Sequence, residues 1–531
     1  MSNARVAAGR LRKRLGAMAG ILSAVAVLAA AAGAVAASGS LPGPTSERVL
    51  DLPLADVPAG RATAVCTEPA RLLEGTPVGT DPQFSPVSGS AKSFLNAVVL
   101  SGKEGALPGS RITSLAGQQE AEISKPPAST ATPVAGAPAL KAGVVAQRPV
   151  SATDVVVAEA LGNQQPAMAA LMHYGATDGD LRGTAAAACQ APANDFWIVG
   201  ADTTVGRAAV LDLKNASGTP ATVSLDLYGS KGQVQAAGSR GLLVSPGTTR
   251  SVVLAGLAAG EPSLAVHVRS VGGPVAGTIQ QSTLRGLTPG GVDFLSPGSP
   301  PSVRQNMTGV EISDTGSLGS KSGFQDAVPV LQIAVPGAAD AVVQVKLSGN
   351  NGQKSLPGGG VVTAKGGSVT QVPLTGVPAG SYTVTASSDV AIIASVRVTK
   401  GNKAEDPLDF AWSPAAVRLG SQHVVAVPQG AEAQLRFGAP DGRAKISLSP
   451  ITADGAVRKA DTLDISGGTT ATVKVPDKVE GAAVVGYVVS AAGDPAYGAV
   501  VLGRDGRNDI AVAAIQPGAA GQEKVPVVLG Y

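Results

Sequence analysis

The stretch VLDLKNASGTPATVSLDL, residues 210–227, carries the pattern that decides the fold class. Apolar and polar side chains alternate in 210–213 and again in 222–227, and Asn, Ser and Gly lie between them at 215–218. A period of two is typical of β-strands, and Asn, Ser and Gly favour tight turns. The stretch therefore predicts a strand, a turn and a second strand.

Short runs of the same kind recur along the chain and are rich in Val, Thr and Leu. They comprise residues 341–347, 382–386, 434–437, 446–448 and 484–489. No long amphipathic helical pattern follows the N-terminal segment, so the sequence predicts an all-β chain.

One phrase recurs four times: a valine-rich alternating strand, a turn, a second strand, a loop and a closing Ser or Pro. A shorter phrase precedes two of the copies, as LAGLAAG at 254–260 and LTGVPAG at 374–380. Successive copies lie roughly 100–120 residues apart, which is the size of one immunoglobulin-like sandwich. The four copies occupy residues 154–192, 263–297, 381–414 and 483–517.

These repeats predict tandem immunoglobulin-like β-sandwich domains after one N-terminal transmembrane or signal helix. We expect residues 125–143, which are rich in Pro and Ala, to form an exposed loop or linker, and residues 301–325 to form a second linker. The four sandwiches are expected at 46–192, 196–302, 326–416 and 422–531.

Composition excludes several classes of protein. Gly (68) and Pro (38) are abundant, but they follow no collagen period, and 44% hydrophobic residues are too many for a disordered chain. Three His and two Cys leave little room for a zinc or iron site, so no metal or cofactor is expected. A net charge of +3 gives no field for nucleic acid.

The first 45 residues predict export across a membrane. Residues 1–14 contain Arg and Lys but no acid, and residues 16–37 are all apolar or small. As a helix, the second segment is about 33 Å long, enough to span a bilayer, and its basic flank should stay cytoplasmic. Two interpretations remain open. One is a single-pass anchor in the cell membrane with the bulk of the chain extracytoplasmic. The other is a signal peptide cut near residues 34–37, which would release a secreted protein.

The two cysteines, Cys66 and Cys189, both lie in the part of the chain that we expect to be exported. Because disulfides persist outside the cytoplasm, one bridge between them is the simplest prediction. It would join the first and last strands of the first domain. The alternative is two free cysteines that act as small buried hydrophobes.

The sequence contains no convincing catalytic constellation. Asp314-Thr315-Gly316 has the form of an aspartic-protease phrase, but that chemistry needs two such carboxylates and no second copy is present. His267 alternates with valines on a strand, so we expect it to be exposed. We therefore expect that the protein is not an enzyme.

Trp197 and Trp412 are the best candidates for interaction with a partner or a sugar, because aromatic side chains dominate many binding surfaces. Phe196-Trp197 opens the second domain and Phe410-Ala411-Trp412 ends the third. The interpretation that we favour is that both are core residues at domain junctions, and the sugar platform is the alternative.

Two segments carry a resemblance to known proteins. They are CQAPANDFWIVG at 189–200 and GRAAVLDLKN at 206–215. With the single N-terminal span and the strand repeats, they resemble a family of exported actinobacterial cell-envelope proteins of unknown function. The resemblance implies a membrane-anchored β protein without an assigned activity, and it hints at a partner such as a membrane glycosyltransferase. It supplies no catalytic residues.

Taken together, these observations predict a non-enzymatic extracytoplasmic scaffold or protein-interaction module of the cell envelope. Its expected partners are the membrane, through the N-terminal helix, and an envelope protein. The alternative is a carbohydrate-binding or accessory protein for envelope polysaccharide assembly that contacts cell-wall glycan.

Overall fold

The computed structural model describes residues 54–56, 59–73, 75–76, 85–102, 105–127, 140–162, 164–314, 318–518 and 524–526. The expected membrane or signal segment, 1–45, lies outside these residues, as does most of the loop expected at 125–143. Among the described residues, no helix is long and apolar enough to cross a membrane. Strands dominate the described residues, whose helices are single 3-10 turns at Leu254–Gly256, Leu318–Ser320 and Gln325–Ala327. The prediction of an all-β chain is confirmed.

The chain divides into two compact units, residues 1–57 with 523–531, and residues 58–522. In the first unit, strand β1 (Leu54–Asp56) pairs antiparallel with β36 (Lys524–Pro526). The bounds expected for the first and fourth domains, 46–192 and 422–531, include these two segments, whereas the structure groups the segments in a unit of their own.

The larger unit contains four domains, and each has two antiparallel sheets, named A and B. Strands are given in their order across each sheet. Sheet 1A contains β2 (Ala62–Val65), β7 (Asp154–Ala158), β4 (Ser110–Ser114) and β5 (Gln119–Ser124), and sheet 1B contains β6 (Ala142–Pro149), β3 (Lys92–Leu100), β8 (Met168–Ala176) and β9 (Gly183–Ala188). Sheet 2A contains β10 (Asp195–Ala201), β16 (Leu264–Gly272), β12 (Ala221–Gly229) and β13 (Gly232–Val234), with β14 (Leu242–Val244) also on β12; sheet 2B contains β15 (Thr248–Val253), β11 (Arg207–Asn215), β17 (Ala276–Arg285) and β18 (Thr288–Leu295).

The third and fourth domains follow the same plan. Sheet 3A contains β19 (Ser302–Ile312), β25 (Gly380–Lys400), β21 (Ala341–Gly349) and β22 (Gly352–Ser355), with β23 (Val361–Ala364) also on β21; sheet 3B contains β24 (Val369–Pro373), β20 (Val330–Ala334), β25 and β26 (Asp409–Pro414). Sheet 4A contains β27 (His423–Ala426), β33 (Ala482–Gly493), β29 (Ala444–Thr452) and β30 (Asp461–Ile465), with β32 (Lys478–Val479) also on β33; sheet 4B contains β31 (Thr469–Lys474), β28 (Glu432–Ala439), β34 (Tyr497–Gly503) and β35 (Ala511–Ala514).

All four domains share one strand order, so the repeat that the sequence suggested is present in the fold. In each domain the first strand is an edge of sheet A and the last strand is an edge of sheet B. The third domain differs in one respect. Its β25 runs on where the other domains turn, so the two halves of this strand belong to sheets 3A and 3B.

The segment 301–325, predicted to be a linker, contains the first strand of the third domain. In β19 the residues from Gln305 to Val310 are all buried, and the strand pairs along most of its length with β25. The linker prediction is wrong because the polar side chains of Gln305, Asn306 and Thr308 hid the strand pattern. Two of them are satisfied inside the protein: the Gln305 side chain donates to Ile392 O (2.9 Å), and Asn306 accepts from Thr385 (2.8 Å).

The domains form a closed cycle, because sheet A of each domain packs on sheet B of the next. Mixed apolar clusters join 1A to 2B, 2A to 3B, 3A to 4B and finally 4A to 1B. The last joint buries Val98 and Leu171 of domain 1 with Val424 and Val425 of domain 4. The chain of four domains thus returns on itself.

Burial on both faces explains the continuous valine runs. In β7, Val156 belongs to the core of domain 1, while Val155 and Val157 point the other way and pack with Ala276 of domain 2. Each fully buried valine contributes about 1.5 kcal/mol or more. The same strand therefore contributes to the core of its own domain and packs against the next domain.

Candidate functional site

The last strands of the four domains meet at the centre of the cycle. Strand β9 contacts β18, β18 contacts β26, β26 contacts β35, and β35 contacts β9. These strands are the ends of the four sequence repeats. The closing strand of each repeat therefore contacts the closing strands of the two neighbouring domains in the cycle.

Asp409 is the hydrogen-bond hub of this centre. Its carboxylate is fully buried and accepts from the backbone N–H of Thr184 (2.9 Å), Val292 (3.3 Å) and Ile510 (3.1 Å). These donors belong to domains 1, 2 and 4, whereas Asp409 begins the last strand of domain 3. One side chain thus links all four domains.

Close packing around Asp409 requires glycine at two positions. A Cβ atom built on Gly183 would lie 2.6 Å from Asp409 Oδ1, and one built on Gly291 would lie 2.5 Å from it. Both residues have positive φ, 145° and 112°. Any larger residue would push the carboxylate away from its N–H donors.

Further charges surround the hub. Asp509 is fully buried, pairs with Arg504, and lies 3.6 Å from Arg182 Nη2. Arg504 also donates to Ala176 O (3.0 Å) and so links domain 4 to domain 1. Burial, with the nearby Asp509 as a second cause, raises the pKa of Asp409 well above its usual range, although the N–H donors oppose this shift.

A second buried carboxylate, Asp293, joins domains 2 and 3. Its Oδ2 accepts from the N–H of Trp412 at 2.7 Å. Burial raises its pKa to about 8, against the lowering effect of hydrogen bonds from the backbone of Trp412 and Phe294. Asp293 is therefore largely protonated at neutral pH.

The disulfide predicted between Cys66 and Cys189 is present. The two Cα atoms are 4.1 Å apart, and the neighbouring residues Val65 and Gln190 exchange backbone hydrogen bonds of 2.7 and 2.9 Å. The cysteines therefore face each other across two antiparallel strand ends. As expected, the bridge joins the first and last strands of domain 1.

Trp197 is buried at the joint between domains 2 and 3. His267 stacks on its indole with ring centroids 4.1 Å apart, and Val369 and Ile393 of domain 3 pack against it. His267 was expected to be exposed, which is wrong: its side chain is only 15% exposed and lies 3.1 Å from Asp195. Alternation directs it away from the core of domain 2 as predicted, but Trp197 shields it.

Trp412 is a plug inserted from domain 3 into the core of domain 2. It packs with Ile198 and Leu211, and its ring lies against Gly200, where a Cβ would be 2.7 Å from Trp412 Cδ2. Both tryptophans are core residues at a junction. Neither ring is exposed, so Trp197 and Trp412 cannot serve as exposed residues that contact a partner or a sugar.

The remaining candidates from the sequence do not converge on a site. Asp314 lines an open depression of about 540 Å³ and is the only ionisable residue among its described lining residues. His423 is fully hydrogen-bonded, accepting from Gly420 N (2.7 Å) and bonding Gln516 O (2.9 Å). Burial lowers the pKa of His173 to about 4, so it is neutral. Within the described residues, no group of three or more His, Cys, Asp or Glu side chains could hold a metal ion.

Lys214 is a buried cation that sequence reasoning overlooked. It lies at the joint of domains 1 and 2 with its Nζ atom unbonded, and burial lowers its pKa despite the nearby Asp212 and Glu68. It is not among the described lining residues of the 540 Å³ depression or of the 230 Å³ groove between domains 1 and 2.

A groove of about 230 Å³ lies between domains 1 and 2 and is accessible from outside. We call it the 1–2 groove. It combines segments distant in sequence: the stretch after Cys66, the β8–β9 turn, and strands β11 and β17. Its apolar lining residues are Leu72, Leu73, Leu181, Val210 and Leu284, and its polar ones include Arg71, Asp180, Arg207, Gln280 and Ser282.

Exposed apolar side chains gather around the 1–2 groove. Leu73 is in its wall, and Val253 pairs in register with the wall residue Val210. Val205 precedes the lining residue Gly206, and Leu287 is at the tip of the hairpin that follows Leu284. All four belong to the large hydrophobic side chains that are exposed in the described part of the chain. Exposed apolar side chains that lie together often mark a binding surface, whereas isolated ones do not.

The wall of the 1–2 groove is fixed by polar contacts between the two domains. Arg71 pairs with Asp212 (3.1 Å) and exchanges two hydrogen bonds with the Gln280 side chain (2.9 and 2.7 Å). The disulfide at Cys66 anchors the segment that carries Arg71. The groove is therefore built in advance of any ligand.

Comparison with known proteins places the chain in a family without a described activity. The model of a family of unknown function, DUF5719, matches residues 144–476, and the chain belongs to this family. Among solved structures, the chain is similar to a "Biofilm associated protein - BSP domain" at 10% identity, over 88% of this chain and 98% of that chain, with a TM-score of 0.13, which carries no inference. No curated protein matches the sequence.

Proposed function

We propose that this member of the DUF5719 family is a non-enzymatic scaffold that captures a protein partner in the 1–2 groove. The observation that carries the proposal is the gathering of Leu73, Val205, Val253 and Leu287 around a preformed apolar groove. Exposed side chains of this kind gain free energy only when a partner covers them.

A rigid support suits this role. Because the joints between domains are apolar and a buried carboxylate links all four domains, the groove keeps its shape when the protein is free. A preformed site loses less conformational entropy on binding.

We further propose that the protein acts outside the cytoplasm of an actinobacterial cell, tethered by its N-terminal segment, and that its domains are immunoglobulin-like sandwiches. The basic flank and apolar run of residues 1–37 support the tether. The disulfide supports an oxidising compartment. A membrane glycosyltransferase of the envelope remains the suggested kind of partner.

The carbohydrate-binding alternative loses its main support. It relied on Trp197 and Trp412 as stacking platforms, and both are buried. No aromatic residue is among the described lining residues of the 1–2 groove, and its apolar lining residues are all aliphatic.

A crosslinking pull-down from envelope membranes of the native cell tests the scaffold proposal. The wild-type chain is compared with a variant that carries Leu73→Ser and Leu287→Ser, and with a control that carries Val342→Ser and Val361→Ser, two equally exposed valines of domain 3. We expect one protein to be recovered with the wild type and the control, and lost with the groove variant. Equal recovery in all three would contradict a role for the groove.

A further inference from the structure

The 1–2 groove contains one charge that nothing in the described structure neutralises. Arg71 pairs with Glu68 (3.0 Å) and with Asp212, and Arg207 pairs with Asp326 (2.7 Å). Asp180, by contrast, receives no hydrogen bond at its carboxylate from any described residue, and no cation pairs with it. The groove thus presents an apolar wall with a single free carboxylate.

The size of the groove limits what can occupy it. Sites for drug-sized molecules have volumes of about 300 Å³ or more, and this groove has about 230 Å³. It suits one long side chain better than a whole small molecule. The aliphatic walls formed by Leu72, Leu181 and Leu284 match a methylene stem, and Asp180 matches a positive end.

We propose that the 1–2 groove receives a lysine or arginine side chain of the protein partner, flanked by apolar residues. The stem lies along the leucines and the cation pairs with Asp180, while the flanking apolar residues cover Leu73, Val205 and Leu287. Long basic side chains commonly bury their stems in this way and keep the charged end near a polar group. This inference rests on the proposed scaffold function and names the chemistry of the partner.

Because Asp180 has no cationic partner within the described residues, it is available to pair with a cation of the binding partner. Burial raises the pKa of this carboxyl, since no nearby cation stabilises its charged form. A partner's ammonium or guanidinium group would supply the missing charge. An acidic partner segment would instead place its own carboxylate beside that of Asp180, and two like charges at close range repel each other.

Calorimetric titration of the full chain with three short peptides tests the inference. The peptides are acetyl-Leu-X-Leu-amide with X as lysine, norleucine or glutamate, so that norleucine keeps the stem and removes the charge. Each is titrated into the wild type, into Asp180→Asn, and into Asp477→Asn, a matched exposed carboxylate of domain 4. Thermal melting checks that the variants are folded, which we expect because no described residue bonds the Asp180 carboxylate.

We expect the lysine peptide to bind wild type about tenfold more tightly than the norleucine peptide, and the glutamate peptide to bind most weakly. Asp180→Asn should remove the tenfold preference, and Asp477→Asn should keep it. Equal binding of the lysine and norleucine peptides, or no binding of either, would overturn the inference about charge. The scaffold proposal would still be decided separately by the pull-down with the Leu73 and Leu287 variant.

Discussion

Replacing Asp409 with alanine should uncouple the four domains. The substitution removes the carboxylate that accepts from Thr184, Val292 and Ile510, and it leaves three buried N–H groups without an acceptor. Each such group costs about 1–3 kcal/mol. Removal of the buried carboxyl group also removes the cost of desolvating it, which offsets part of this loss. Three such groups together cost about 3–9 kcal/mol, and after the offset we expect a net destabilisation of about 4 kcal/mol.

Urea denaturation measures this effect most directly. The wild type should unfold in one cooperative transition, because every domain is packed between two others. The variant should unfold at lower urea and in more than one step, and the change in slope would report the lost coupling. Asp505→Asn, an exposed carboxylate in the turn before β35, is the matched control and should change the unfolding free energy by less than about 0.5 kcal/mol. A loss below 1 kcal/mol for Asp409→Ala would refute the view that this residue is the hub of the cycle.

Three further predictions concern the contacts between domains and the disulfide. Gly200→Ala should destabilise the protein by about 2–3 kcal/mol in thermal melts, because its φ of 132° is strained for alanine and the new Cβ would meet the Trp412 ring; an unchanged melting temperature would contradict this packing. Asp293→Asn should remove a pH dependence. The folded wild type keeps one extra proton between the unfolded pKa near 4 and the folded pKa of about 8, so its stability should fall by about 1.4 kcal/mol per pH unit as pH rises across that window, and wild-type and variant slopes that coincide would exclude a protonated Asp293. Replacing Cys66 and Cys189 together by alanine should cost about 5 kcal/mol, because the bridge closes a loop of 123 residues. Urea denaturation of the variant and the wild type under non-reducing conditions measures this loss, and equal unfolding free energies would contradict it.

Local pattern was enough to predict much of the fold. The alternation at 210–213 and 222–227 identified β11 and β12 because those strands have a face toward the core of domain 2, and period two reports such a face. The repeat spacing predicted four similar domains because each copy ends in the same closing strand. The disulfide followed from the presence of two cysteines in a part of the chain that is expected to be exported.

The closed cycle was not predicted, although a signal for it is present in the sequence. The run Val155–Val157 has no alternation, which in an antiparallel sheet indicates burial on both faces. The sequence analysis treated such runs as ordinary strands. Strand β19 was missed for the opposite reason: its buried Gln305 and Asn306 look like loop residues until their partners, Ile392 and Thr385, are known.

The candidate site lay beyond sequence reasoning because its residues come together only through packing between domains. Leu73, Asp180 and Leu284 belong to three segments with no shared motif. Trp197 and Trp412 were candidates because aromatic side chains are common in binding surfaces. Large aromatic side chains also fill the space between packed domains, and both tryptophans do so here. Aliphatic side chains on loop tips give no comparable signal.

The most direct test of the account is site-specific photocrosslinking in intact native cells. A benzophenone side chain is placed at Leu287, beside the 1–2 groove, and in a parallel strain at Val361, an equally exposed position in domain 3. The account predicts a covalent adduct with a single protein at position 287, absent at position 361 and competed by the lysine peptide. No adduct at position 287, or the same adducts at both positions, would contradict the claim that the groove is where this scaffold holds its partner.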